Sequence, residues 1–231
     1  SDVCSSDLTS LSYTYNRNKI DDLNSATPYY INQINNSYVT MLAKGYPINV
    51  FYGYVCDGIF QNEKEVKEHA YQAGAEPGDI CFKDLNHDGV INDGDRTVIG
   101  NPQPDFIFGF NNQFGYKNFD LSFMIQCVQG FEIFNSAGSF LLNGEGWGNG
   151  AKDLYKNFFS ESNPNGKYAR PSVATADKLY EKSSYMVEDG SFIRFNNITL
   201  GYNFSKTFIA KVGLKGLRVY VTAQNPFTIT K

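Results

Sequence analysis

The sequence has no run of about eighteen or more apolar residues, so no helix built from it can span a bilayer. It has a single Trp and only two His. Its four cysteines, Cys4, Cys56, Cys81 and Cys127, make no CxxC pair and no zinc spacing. They read as unpaired small hydrophobes, not as ligands or a disulfide framework. Charge is sparse: the net value is −4 over 231 residues, which argues against a nucleic-acid partner. No glycine-rich phosphate loop and no nucleophile motif is present. The helix formers Ala, Leu and Glu are thinly used. The opening "SDVCSSDL" has neither a basic region nor an apolar stretch, so it is not a signal peptide. Residues 1–8 read as a non-native leader, of the kind translated from adapter DNA, and carry no structural weight. The end, "FTITK", falls inside a strand-like run, so 9–231 reads as part of a longer protein.

Aromatic content is high: 16% of the chain, with 19 Phe and 16 Tyr. Together with abundant Gly and Asn it points to strands and turns. Leu11–Ile20 alternates bulky and polar residues and meets Asp21-Asp22 as a turn. Ser37–Phe60 holds two strand-like runs, broken at Gly45 and Pro47. Asn62–Gln72 is a helix capped by Asn62 and stopped by Gly74, with Glu63/Lys67 and Lys64/Glu68 as i,i+4 pairs. Pro104–Gly130 is the most regular stretch. Phe106, Phe108, Phe110, Phe114 and Tyr116 share one parity; Ile107, Gly109, Asn111, Gln113 and Gly115 share the other. After a tight turn at Lys117-Asn118, Phe119, Leu121, Phe123, Ile125 and Cys127 fall on one face. Asn197–Phe204 and Leu217–Gln224 repeat the pattern. Between the second and third of these strands, 131–189 reads as a long loop with one short helix near Lys152–Phe159.

Strict alternation gives each strand one apolar and one polar face. The polar parity here is Asn, Gln, Thr, Ser and Gly rather than Lys and Glu. The apolar parity is more aromatic than a close-packed core accepts. A tilted spanning strand needs about 9–11 residues, which Phe106–Tyr116 supplies. A short turn on one side and a long excursion on the other is the asymmetry of outer-membrane barrels. Pattern alone leaves a membrane barrel and a soluble β-sandwich or jelly roll both open.

"DLNHDGVINDGD", Asp84 to Asp95, has the spacing of a calcium loop. Asp84, Asn86 and Asp88 fill positions 1, 3 and 5, and Gly89 the sharp turn at 6. Val90 offers its carbonyl at 7, Asn92 stands at 9 and Asp95 at 12. Asp at position 12 is shorter than the usual Glu. No second helix follows, so the loop lacks the moving part of a sensor. The alternatives are a structural Ca2+ site and a metal-free Asx-rich turn.

The blocks "AKGYPINVFYGYVCDGIFQ", "GDICFKDLNHDGVINDGDRTVIGNPQPDFIFGFNNQFGYKNFDLSFMIQCVQG", "DGSFIRFNNITLGYNF" and "LRVYVTAQNPFTITK" resemble the C-terminal barrel region of SusC/RagA-type TonB-dependent outer-membrane transporters. The resemblance covers most of 11–231. It implies an all-β fold: the C-terminal strands of an antiparallel transmembrane barrel of about twenty-two strands, with long extracellular loops. It further implies a bacterial outer-membrane location, a SusD-like surface lipoprotein partner and energy from TonB through a part not present here. The cargo would be oligosaccharide or peptide, and the acidic loop would lie in an extracellular excursion. The alternative reading is a secreted, calcium-stabilised β-domain that binds glycans.

An enzyme is not expected. The carboxylates Asp105, Glu132, Glu145, Asp153 and Asp189 show no spacing that pairs them for glycoside hydrolysis. His69 and His87 read as exposed. Trp147, in "NGEGWGNG", is a weak candidate for substrate contact. Arg194 and Arg218 lie on polar parities and read as structural pairing residues facing a lumen.

Overall fold

The computed structural model describes residues 5–24, 27–34, 37–142, 149–171, 182–211 and 213–230. In chain order the strands begin with β1 (Ser5–Tyr15), β2 (Tyr29–Ile34), β3 (Ser37–Leu42), β4 (Val50–Gly53) and β5 (Cys56–Ile59). Helix α1 (Glu63–Glu68) then leads to β6 (Ile80–Phe82) and β7 (Thr97–Gly100). The long strands β8 (Phe106–Tyr116) and β9 (Phe119–Gln129) come next. They are followed by β10 (Glu132–Phe134), α2 (Gly138–Leu141), α3 (Lys152–Asn157) and β11 (Val187–Asp189). The chain closes with β12 (Phe192–Asn203), α4 (Lys206–Lys211) and β13 (Arg218–Thr230). No helix among the described residues is long and apolar enough to cross a membrane, which says nothing of crossing by strands.

The chain divides into two compact units. The first gathers Ser1–Arg17, Pro104–Phe131 and Asp189–Lys231. It is one antiparallel sheet in the order β1-β8-β9-β12-β13. Directly paired residues share a face, so the register sorts every side chain. One face carries Leu11, Tyr13 and Tyr15, then Phe106, Phe108, Phe110 and Phe114, then Phe119, Leu121, Phe123 and Ile125. It continues through Ile193, Phe195, Ile198, Leu200 and Tyr202 to Val219, Val221, Phe227 and Ile229. The opposite face carries Ser10, Ser12, Gly109, Asn111, Gln113, Ser122, Gln126, Arg194, Asn197, Thr199, Thr222 and Gln224, with Ile107, Met124, Val128, Phe192 and Tyr220 as apolar exceptions. Asn112 interrupts the apolar face. It is buried, and its Nδ2 donates to Asp7 Oδ1 (2.9 Å) and Thr9 Oγ1 (2.6 Å).

Among the described residues the apolar face is partly exposed along its central strands and largely exposed on its edge strands. Val221 is 73% exposed, Leu11 64% and Phe227 61%. In a sandwich these are the residues a second sheet would cover, so the sandwich and jelly-roll alternative fails here. Lys117 takes φ 51° in the two-residue turn between β8 and β9. Both long excursions, after β1 and after β9, leave from the other end of the sheet.

Ser5–Leu8, given no weight from sequence, continue β1 opposite Tyr116–Gln113. The reason is that a backbone ladder depends little on side-chain identity, and an edge strand offers unpaired N–H and C=O groups to any extended neighbour. β1 also stops at Tyr15 rather than reaching Ile20, and Asp22 pairs with Lys44 (3.7 Å) instead of making a turn.

The second unit is Asn18–Gln103 with Glu132–Glu188. Its sheet runs β2-β3-β4-β7, with two-stranded ribbons β5-β6 and β10-β11. One core joins Tyr54, Ile80, Phe82, Ile91 and Met186; another joins Met41, Ala43 and Val50. Where two strands were expected in Ser37–Phe60 there are three, because the chain bends at Gly53 to meet the later excursion. A Cβ on Gly53 would stand 2.0 Å from the Lys182 carbonyl, and Tyr54 N donates to that oxygen (2.9 Å). The described residues of 131–189 accordingly include packed positions that a plain loop lacks: Leu154, Phe159, Tyr168 and Met186 are buried. Its helix α3 lies where expected. Arg170 fastens the two excursions, with Nε on Asp79 Oδ1 (2.8 Å) and a second guanidinium nitrogen on Glu76 (2.7 Å).

Candidate functional site

The acidic loop folds by local chemistry. Asp and Asn side chains readily accept N–H groups two residues on, and they do so repeatedly here. Asn86 Oδ1 accepts from Asp88 N, Asp88 Oδ1 from Val90 N, and Asn92 Oδ1 from Gly94 N (2.9, 2.9 and 2.7 Å). Asp84 Oδ2 accepts from Gly89 N (2.9 Å). Gly89 sits at φ +82°, the left-handed conformation the sharp turn requires. Asp88 Oδ2 receives the amide groups of both Asn86 and Asn92 (3.0 and 3.2 Å). The Val90 N–H first, then these amides, hold the Asp88 carboxyl below its usual range.

The residues expected to ligate calcium therefore fall into two groups. Asp84, Asn86, Asp88, Asn92 and the Val90 carbonyl share one knot, since Asn92 Nδ2 also donates to Val90 O (3.1 Å). Asp95 does something else. It is fully buried, and its carboxylate closes the loop through backbone N–H groups: Oδ1 takes Leu85 and Asn86, and Oδ2 takes Asn92. Among the described residues no three His, Cys, Asp or Glu side chains gather as a metal group. The donors nonetheless suit a hard cation in kind, all being oxygen. Asp84 Oδ1 is buried without a hydrogen-bond partner, so one carboxylate oxygen of the knot is left for a further ligand.

The loop is anchored to the core of its unit. Ile91 packs with Tyr54, Ile80 and Phe82, and the Tyr54 hydroxyl donates to Asp93 Oδ1 (3.1 Å). Burial first, then Asp93, pushes the Tyr54 hydroxyl far above its usual range.

The polar face of the first unit carries its own network. Asp120 on β9 meets Arg218 on β13 and Asn203 Nδ2 on β12 (2.9 Å). The pair crosses over Gly201, where a Cβ would fall 2.4 Å from the Asp120 carboxylate. Arg194 donates to Thr228 Oγ1 (3.2 Å) and lies over the Phe192 ring. Both arginines are thus paired within the sheet, as the parity pattern led us to expect. The Asp120–Arg218 link across a glycine was not visible in sequence.

The remaining candidates are structural. Asp153 accepts from the Tyr168 hydroxyl (2.6 Å), Asp189 from Ser191 N (2.9 Å), and Glu132 from Asn101 N (2.8 Å). Asp105 lies against Gly130. His87 is exposed, whereas His69 is half-buried and edge-on to Phe60. Cys56, Cys81 and Cys127 are free thiols. Burial pushes the Cys81 thiol up to about 11, the wrong direction for a nucleophile. Trp147, Glu145 and Cys4 lie outside the described residues.

No family model matches the chain. Individual relatives do. The chain is 35% identical over 227 residues to TonB-dependent receptor P3 of Formosa agariphila, covering 96% of this chain and 22% of that receptor. It is 30% identical over 233 residues to TonB-dependent receptor SusC of Bacteroides thetaiotaomicron, covering 96% and 21%. It thus spans about a fifth of the length of these relatives. Its fold matches the solved structure of the RagAB peptide transporter with a TM-score of 0.73 at 22% identity, over 98% of this chain and 24% of that one. These relatives are receptors and transporters rather than enzymes. The match over nearly the whole chain, the shared fold and a sheet with one uncovered apolar face lead to one conclusion: the chain belongs to the SusC/RagA-type TonB-dependent receptors, β-barrel proteins of the bacterial outer membrane.

Proposed function

We propose that this chain forms C-terminal strands and external loops of a TonB-dependent importer that takes up oligosaccharide or peptide with a SusD-like lipoprotein as its lid. The observation that carries the reading is the uncovered apolar face. Five long strands, paired in register except for a bulge in β12 between Phe195 and Asn197, put most aromatic and branched side chains on one side and most amides and hydroxyls, with an ion pair, on the other. Hydrocarbon outside and a polar lumen inside satisfy both faces. The solved neighbour is a peptide transporter, which favours peptide, while oligosaccharide rests on the sequence resemblance alone. The long excursions after β1 and β9 are then external loops that meet cargo and lid. A gene deletion in the host, complemented by the full-length gene, tests the reading. Growth on an oligosaccharide or peptide mixture should fail in the deletion and return with complementation. Co-purification of a surface lipoprotein should accompany it, and unchanged uptake in the deletion overturns the reading.

In the same reading the acidic loop is a structural staple. Ca2+ would be held by Asp84, Asn86, Asp88 and the Val90 carbonyl, with Asn92 turned to present its oxygen. The ion would supply positive charge to an oxygen-rich turn and fix its shape. Protection of the 84–95 amides from hydrogen exchange should rise with calcium and fall with chelator. Equal protection in both leaves a metal-free Asx turn.

A further inference from the structure

We propose that the short-turn end of the first unit binds the anionic headgroups of phospholipids in the inner leaflet of the outer membrane. The proposal rests on the barrel reading, in which short turns face the periplasm. The connector from Phe204 to Leu217 contains Lys206, Lys211 and Lys215 and no acid to neutralise them. All three lysines are exposed. Its described residues are held in place: Lys206–Lys211 is helical, Ile209 is buried, and Leu214 N donates to Ile209 O (3.1 Å).

This connector continues the apolar face of the sheet. Ring centroids step from Phe119 to Tyr202 (4.8 Å), from Tyr202 to Phe204 (5.0 Å) and from Phe204 to Phe208 (5.3 Å). Phe208 and Leu214 remain about half exposed. At the neighbouring turn, Lys117 Nζ lies 5.2 Å from the Tyr116 ring. Aromatic rings thus run to the end of the strands, and ammonium groups begin where they stop. That sequence of chemistries matches a bilayer boundary, with rings at the headgroup level and long cationic side chains reaching phosphate. A polar periplasmic protein would leave Phe208 and Leu214 uncovered; lipid covers them and answers the charge.

The test places the full-length receptor in nanodiscs of mixed phosphatidylethanolamine and phosphatidylglycerol and counts retained lipids by native mass spectrometry. The wild type should enrich phosphatidylglycerol, and added salt should reduce the enrichment. The variant Lys206→Gln/Lys211→Gln/Lys215→Gln should lower that enrichment by up to about a hundredfold, given the contribution of each lysine at an anionic surface. The control Lys64→Gln/Lys67→Gln, on α1, should leave it unchanged. Equal enrichment in wild type and triple variant overturns the proposal, as does enrichment of phosphatidylethanolamine over phosphatidylglycerol in the wild type. A receptor that does not enter nanodiscs at all overturns the barrel reading, and this proposal with it.

Discussion

The two units of this chain bury their apolar residues by opposite rules. In the second unit Tyr54 is 2% exposed and Leu154 0%, and Tyr54 is enclosed by Ile80, Phe82, Ile91 and Met186 from distant sequence. In the first unit Val221 and Leu11 are largely uncovered, although the sheet that holds them is longer and more regular. The second unit is organised as proteins are in water, where apolar area leaves solvent by packing on itself. The first is organised for a solvent that is itself apolar, where only the backbone must be satisfied internally. Hydrophobicity therefore predicts burial in one half of the chain and contact with surroundings in the other.

Substitutions can break this contrast. The largest effect belongs to Tyr54→Ala, which empties a packed site among Ile80, Phe82, Ile91 and Met186. It should destabilise the second unit by about 3–5 kcal/mol, read as lost hydrogen-exchange protection in β5 and β6 while β8 and β9 stay protected. Leu200→Arg reverses the logic. It should cost about 2–4 kcal/mol in a bilayer and far less in a medium with water access. Equal cost in both media would show that Leu200 packs on protein. Gly201→Ala sharpens the picture on the polar face, where the new methyl must displace the Asp120 carboxylate. A loss of about 1–3 kcal/mol is expected, rescued in part by Asp120→Ser. Asn62→Ala removes the cap that accepts Glu65 N (3.0 Å). It should cost about 1 kcal/mol, confined to α1 exchange. The smallest effect is pH-dependent. The Asp88 carboxyl is held below its ordinary 3.8, so its contribution is full above that value and lost as pH falls through the lower folded value. Exchange protection of the 84–95 amides should drop in that acid range, and Asp88→Asn should remove the step.

Legibility divides along the same line. β8, β9, β12 and β13 could be read from sequence because a two-residue period survives whatever covers the face. The Lys117-Asn118 turn and the Asn62 cap were also legible, being local. The end of α1 was not: the helix stops at His69, whose N–H bonds Glu65 O (3.0 Å), well before Gly74. The second unit resisted reading because its contacts join remote positions. Arg170 and Asp79 lie 91 residues apart, and Gly53 is required by a carbonyl in the other excursion. In the acidic loop the spacing located the turn and most of the knot. It did not show that Asp95 spends its oxygens on backbone amides, because a ligand and a loop-closing acceptor look the same in a motif.

The Lys117-Asn118 turn also has a temporal consequence. It lets β8 and β9 meet after closing a two-residue loop, whereas β1 with β8, and β9 with β12, must each wait for a long excursion to be spanned. Closure entropy rises with the length enclosed, and pairings distant in sequence form slowly. The β8–β9 hairpin is therefore the seed on which this part of the wall zips outward in both directions.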